Sequence, residues 1–232
     1  PDSRSQVILR VGSDSSDVGQ IDPHLSSKTP DMVLIGWMFN GLVRFRPGSM
    51  DPTTIEPDIA ESWTSSSDGK VWTFKIRKGI KFHGGYGELT AEDVVFSLER
   101  ARNPKTSAFS SDFKEFKSIE ALDPYTVRIT LTTPVPFLLG TVSNYHGGMI
   151  VSKKAVEKIG EQFKISPVGT GPFMFEDYKA KQLISLKAHK EYFRGSPKID
   201  RITYRYIPST SSRELAYRNG ELDIFYGDRE QR

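Results

Sequence analysis

The side chains able to do chemistry are few and scattered. The four histidines, His24, His83, His146 and His189, stand dozens of residues apart, without the local spacing of a metal site. Cysteine is absent. That removes a thiol nucleophile, a thiolate metal site and a disulfide framework, and it fits either redox compartment. Paired carboxylates do acid–base work in many enzymes. Here the adjacent pairs are Glu92-Asp93 and Glu176-Asp177. Helix capping accounts for the first, and a strand running into a turn accounts for the second. Asp58 and Glu61 lie three apart, so a short helical turn would put them on one face, where ion pairing or solvation is the simpler reading. Gly169-Thr170-Gly171 resembles half of a phosphate loop, but Pro172 follows and the next segment reads as a strand. The nucleophile elbow, the complete P-loop, G-x-G-x-x-G and H-E-x-x-H are all missing. No catalytic residue, metal ligand or cofactor is therefore assigned.

The elements that must position these groups are legible from caps, turns and periodicity. Val7–Val11 reads as a buried first strand. Thr29-Pro30-Asp31 reads as a helix start with Thr29 as N-cap, the helix running to about Asn40 with Gly41 as its terminator. Residues 42–45 read as extended, and the character changes from Phe45, with three prolines and a glycine in 46–57. Ser67-Asp68-Gly69 turns 63–65 back onto Val71–Ile76, whose alternation puts Trp72, Phe74 and Ile76 on one face. Thr90 with Asp93 forms a capping box for a helix to about Arg102, presenting Val94 and Leu98 as a stripe. Strands near 119–122 and 127–131 flank Asp123-Pro124, and Ser152 caps a short helix ending at Gly160. Strands follow near 173–178, 183–187 and 202–207. A helix capped by Ser209 or Thr210 then ends at Asn219-Gly220, and Leu222–Phe225 begins another strand. That last strand and the charged tail Asp228–Arg232 do not close a sheet, so a fragment is expected.

Composition narrows the class. At 232 residues, 37% hydrophobic and 11% aromatic, the chain can build a core and is not wholly disordered. Its longest apolar run, Met32–Phe39, is far short of the ~20 residues that span a bilayer. The 32 basic and 29 acidic residues are interspersed, giving a net charge of +3 without the basic stripe of a nucleic-acid binder. No leader segment is visible after Pro1, so none existed or it has been removed.

Several segments then fall in one order: Ile21-Asp-Pro-His24, Phe39-Asn-Gly-Leu-Val43, Pro57-Asp-Ile-Ala-Glu-Ser-Trp63, Ser67 through His83, Thr90 through Arg100, Val168-Gly-Thr-Gly-Pro-Phe173 and Gly220-Glu-Leu-Asp223. Together they resemble the extracytoplasmic solute-binding proteins of the dipeptide/oligopeptide/nickel class of ABC importers, family 5. The resemblance implies an α/β, type II periplasmic-binding-protein fold. Residues 1–44 and 166–232 would form a first lobe and 45–165 an inserted α+β domain, the second lobe lying outside the chain. Trp63, Trp72 and Phe74 would then be scaffold.

By analogy with that class, the residues facing a ligand between the lobes are Leu25, Ser26, Ser27, Asn40, Phe109, Tyr145, His146 and Thr170. Hydroxyls and amides would bond a peptide-like solute, and the rings would cover a planar or apolar group. The resemblance implies no enzyme, no cofactor and no metal. It implies a small-molecule or peptide ligand, a membrane permease as partner, a monomer, and a periplasmic or extracytoplasmic location. The competing readings are a binding protein that presents its ligand to a membrane sensor and a secreted hydrolase on the same scaffold.

Overall fold

The structure, a computed structural model, describes residues 5–227. Pro1–Arg4 and the tail Asp228–Arg232 lie outside the described residues. The strands are β1 (Ile8–Ser13), β2 (Val43–Phe45), β3 (Ile55–Pro57), β4 (Ala60–Ser65), β5 (Val71–Ile76), β6 (Phe116–Asp123), β7 (Thr126–Leu131), β8 (Phe173–Lys179), β9 (Leu183–Ala188), β10 (Arg201–Tyr206) and β11 (Ile224–Phe225). The α-helices are α1 (Thr29–Met38), α2 (Ala91–Arg102), α3 (Leu138–Thr141), α4 (Lys153–Ile159) and α5 (Thr210–Arg218).

Two sheets carry the molecule. One has the order β11-β1-β10-β9-β8, with β1 parallel to both β10 and β11. The other is the antiparallel sheet β4-β5-β7-β6. The ribbon β2-β3 crosses the expected boundary at residue 44. One continuous buried core runs through all of them, from Val11 and Ile35 to Ile129 and Tyr204.

The second sheet follows the alternation of its sequence. Phe74 and Ile76 are buried on the core face, and Trp63 and Trp72 pack against the Phe74 ring while staying half-exposed. Val94 and Leu98 of α2 are wholly buried above it. The capping box is present, with Asp93 accepting the Thr90 backbone N–H at 3.1 Å. Truncating a ring such as Phe74 to Ala typically costs ~3–5 kcal/mol.

The structure corrects several boundaries. β1 is buried at its far end, Val11–Ser13, while Val7 and Ile8 are exposed. Helix α1 has Lys28 as N-cap, and Thr29 is its first helical residue. The first-turn acid Asp31 turns back instead, accepting the N–H groups of Gly19 at 3.1 Å and Gln20 at 3.2 Å. The helix ends at Met38 in extended backbone. Gly171 N–H satisfies the orphan Met38 carbonyl at 2.9 Å. A Cβ on Gly171 would sit 2.5 Å from Met38 C, so only glycine permits that approach. Gly41 is likewise there for space rather than as a left-handed terminator, because a Cβ would lie 2.3 Å from the Ser143 backbone. The proline-rich stretch 46–57, to which the sequence assigns no element, contains β3, and α3 is an unforeseen single turn.

Candidate functional site

Three loops meet around His24: residues 22–27, 107–113 and 145–149. Asp22 starts the first. Its carbonyl accepts the N–H groups of Leu25 (3.1 Å) and Ser26 (3.0 Å), and its carboxylate accepts that of His24 (3.0 Å). This is the local turn that an Asx-Pro step favours. Arg100 of α2 reaches over and grips the same carboxylate with two donors, at 2.9 and 2.5 Å, in a pair that is nearly buried.

His24 is wholly buried between these groups. Arg100 lies 2.8 Å from its Nδ1, and an arginine can only donate. Nδ1 is therefore the acceptor, and Nε2–H donates to the Met149 carbonyl at 2.9 Å. Burial, reinforced by the Arg100 charge, pushes the ring down to about 4, so it is neutral at ordinary pH. The His24 carbonyl accepts Ala108 N–H at 2.8 Å. One histidine thus joins all three loops.

The second and third loops carry rings. Phe109 stacks on His146 with centroids 4.5 Å apart and planes at 8°, and Tyr145 covers the other ring contact of His146 at 3.7 Å. His146 holds this place at a φ of +48°, uncommon for a residue with a side chain. Its pKa is lowered by burial, against the opposing field of Asp112. Tyr145 is 44% exposed, so the stack presents an open aromatic face. Beside it Phe137, Asp112 and Gly147 line a cleft of about 290 Å³.

Leu25, Ser26 and Ser27 line a smaller cleft of about 200 Å³ with Gln20, Lys28 and Asp31. Ser27 is exposed, while Ser26 is buried and its Oγ finds no hydrogen-bond partner among the described residues. Burial pushes the Asp31 carboxyl up from its ordinary value.

Asn40 and Thr170 are placed differently. Asn40 Oδ1 accepts Thr170 Oγ1 at 3.0 Å, and Asn40 Nδ2 donates to Asp58 at 2.9 Å. Asp58 also accepts Arg194 Nε at 3.0 Å. All three polar residues other than the arginine are buried. Their backbone neighbourhood still touches the first group, since Ile150 N–H donates to the Asn40 carbonyl one residue after Met149. The structure therefore brings Leu25–Ser27, Phe109, Tyr145 and His146 to one region and turns the side chains of Asn40 and Thr170 into the interior.

His83 and His189, distant in sequence, come within 4.9 Å of ring contact. His83 is occupied by the glycine loop: Nε2 meets the Gly171 carbonyl at 2.9 Å, and Gly169 N–H donates to Nδ1 at 3.3 Å. Burial pushes its ring down to about 3. Among the described residues, no group of three or more His, Cys, Asp or Glu could hold a metal ion. No described helix is long and apolar enough to cross a membrane. The residues that sequence reasoning did not assign to the site are Asp22, His24 and Arg100. Arg100 stands 78 positions from Asp22 and 76 from His24, and no spacing rule links it to them.

The profile of the bacterial extracellular solute-binding proteins, family 5 (middle region), matches residues 54–231. The chain belongs to this family. Heme-binding protein A of Haemophilus influenzae is 36% identical over 209 residues, covering 81% of this chain and 38% of that protein. The dipeptide-binding protein of Escherichia coli K12 is 34% identical with the same two coverages. Among solved structures, MoaA of A. tumefaciens R10 in complex with mannopinic acid superposes with a TM-score of 0.95 at 49% identity, over 97% of this chain and 45% of its own. DppA of Helicobacter pylori with the peptide STSA gives 0.85 at 32%, over 97% and 47%. The chain spans about two fifths of the length of the curated relatives it matches. These named relatives are binding proteins rather than enzymes.

Proposed function

We propose that this chain forms the first-lobe face of a solute-binding receptor that works outside the cytoplasm and hands its cargo to an ABC permease. Residues 1–44 and 166–232 make the lobe, 45–165 make a domain inserted in it, and the receptor acts as a monomer without a cofactor. The observation that carries this reading is the Phe109–His146–Tyr145 stack, open on one side and tied through His24 to the Leu25–Ser27 loop. An aromatic face tied to a loop that exposes the Ser27 hydroxyl suits a small solute with a planar or aliphatic body and several polar groups. Asn40 and Thr170 support that wall from behind.

Two ligand classes compete. The peptide-binding relatives favour a short peptide, whereas the 49% identity to the mannopinic acid complex favours a sugar–amino acid conjugate. Mass spectrometry of small molecules retained by the natively purified protein tests both the receptor reading and the class. Titration with mannopinic acid and with the tetrapeptide STSA follows. Resonance shifts at Ser26, Ser27 and Tyr145 are expected with one of the two. No retained solute and no shift with either would overturn the reading.

A further inference from the structure

The contact between α2 and the first loop is more elaborate than scaffolding needs. Arg100 sits in the last turn of α2, in the sheet-covering helix, yet its guanidinium is spent entirely on the loop that follows β1. Its fork takes both oxygens of Asp22 and the Nδ1 of His24, and its side chain is only 12% exposed. Lysine offers a point charge and cannot reproduce three directed donors of this geometry.

We propose that Arg100 is the positioning residue of the solute-contact loop: by donating to His24 Nδ1 and clamping Asp22, it fixes the ring as the Nε2–H tautomer and so sets Leu25–Ser27 against the Phe109–His146–Tyr145 stack. The inference rests on the reading of that region as the solute face. Each link is a hydrogen bond already described. Arg100 fills the Nδ1 lone pair; the proton therefore stays on Nε2; Nε2–H holds Met149, next to the His146–Gly148 turn. The backbone carbonyl of the same histidine holds Ala108, next to Phe109. With the other tautomer, Nδ1–H would face a guanidinium and Nε2 would face a carbonyl, two repulsive contacts in place of two bonds.

The charged groups acting on the ring are Asp22 from its own loop and Arg100 from α2; the segment at 149 presents the Met149 carbonyl. Removing Arg100 leaves Asp22 as the charge beside the ring, so the imidazole takes up a proton more readily.

Nitrogen-15 NMR of the full 232-residue chain tests this without a ligand. In the wild type, His24 is expected as the Nε2–H tautomer, without titration between about pH 7.5 and about pH 5. In Arg100→Gln its midpoint is expected to rise by about one pH unit or more, the Ala108 amide to exchange at least ~10-fold faster, and the Ser26 and Ser27 amides to shift. Arg100→Lys should fall between the two. Ile119→Val in β6, a core substitution away from the loop, is the control and should move none of these. If Arg100→Gln does not fold, the wild-type tautomer and Arg100→Lys decide. An Nδ1–H tautomer in the wild type overturns the proposal. So do wild-type exchange and wild-type Ser26 and Ser27 resonances in Arg100→Lys or Arg100→Gln. Mannopinic acid and STSA are then titrated into the receptor that carries both lobes. Binding of either, weakened at least ~10-fold in Arg100→Lys, supports the positioning role in full; undiminished binding overturns it. If neither binds a wild type that shows the expected tautomer and mutant response, the receptor reading falls and the loop-setting role of Arg100 stands.

Discussion

Asn40 with Thr170 and Tyr145 with His146 lie on either side of the same backbone segment, 149–150, and use their side chains in opposite ways. The first pair is turned inward, and its polar atoms are spent on one another, on Asp58 and, through it, on Arg194. The second presents a stacked aromatic face to the outside. Both pairs consist of residue types that a binding site uses. What separates them is satisfaction: a buried amide whose oxygen and nitrogen are both bonded supports a wall, and an exposed ring with a free face can be one. Substitution in the first network should be felt as lost stability, and in the second as lost binding.

The largest expected effect tests the inward network. Asp58→Ala removes the charged acceptor shared by Arg194 and Asn40, two hydrogen bonds of ~1.5–3 kcal/mol each, and leaves Arg194 the Pro57 carbonyl and Asn40 the Tyr192 hydroxyl, for a loss of ~3 kcal/mol or more. Urea unfolding measures it; a loss below about 1 kcal/mol would show that the network is not structural.

Acid comes next. His24 and His83 are held at about 4 and about 3, below the 6.5 of an unfolded histidine. Between those values the unfolded chain takes up protons that the folded chain refuses. Their contribution is therefore complete above about pH 6.5 and is lost as pH falls through about 4 for His24 and about 3 for His83. For His24 the gap corresponds to roughly 3 kcal/mol. Unfolding free energies that stay flat from about pH 7 to about pH 4.5 would contradict this.

Thr170→Val removes one donor and leaves Asn40 Oδ1 unpaired, for a loss of ~1–3 kcal/mol. Calorimetric affinity for whichever solute is retained should stay within a factor of about two. A large affinity loss at unchanged stability would move Thr170 from the supporting wall to the solute face.

The smallest stability effect belongs to Tyr145→Ala. An exposed ring contributes within ~0.5 kcal/mol to folding, yet its removal should weaken solute binding at least ~10-fold, as aromatic anchors do. Unchanged affinity would break the contrast between the two regions at its functional end.

Much of the frame was legible beforehand because its signals are local. The Thr90–Asp93 capping box, the Ser67-Asp68-Gly69 hairpin turn and the alternation of Trp72, Phe74 and Ile76 each operate within a few residues, and each appears where expected. The errors fall where a distant group intervened. Thr29 was expected to cap α1, but Asp31 is drawn back to Gly19 and Gln20, and the helix entry shifts with it. Gly41 was expected to end the helix in a left-handed turn, but the cap comes from Gly171, 130 positions later.

By itself the sequence determined most element types (β3 and α3 excepted), the apolar faces, the lack of cysteine chemistry and, through ordered segments, the family, since these depend on composition and on spacings within one helix turn or one hairpin. It also named the side chains now found at the aromatic stack. Only the tertiary structure decided which of them are free. Whether Asn40 faces a solute or Asp58, whether His24 carries its proton on Nε2, and whether Arg100 serves its own helix or the loop of Ser26 depend on partners 18, 125 and 78 residues away. Hydrogen bonds are satisfied by whatever the fold brings within 3 Å, and chain distance carries no information about that.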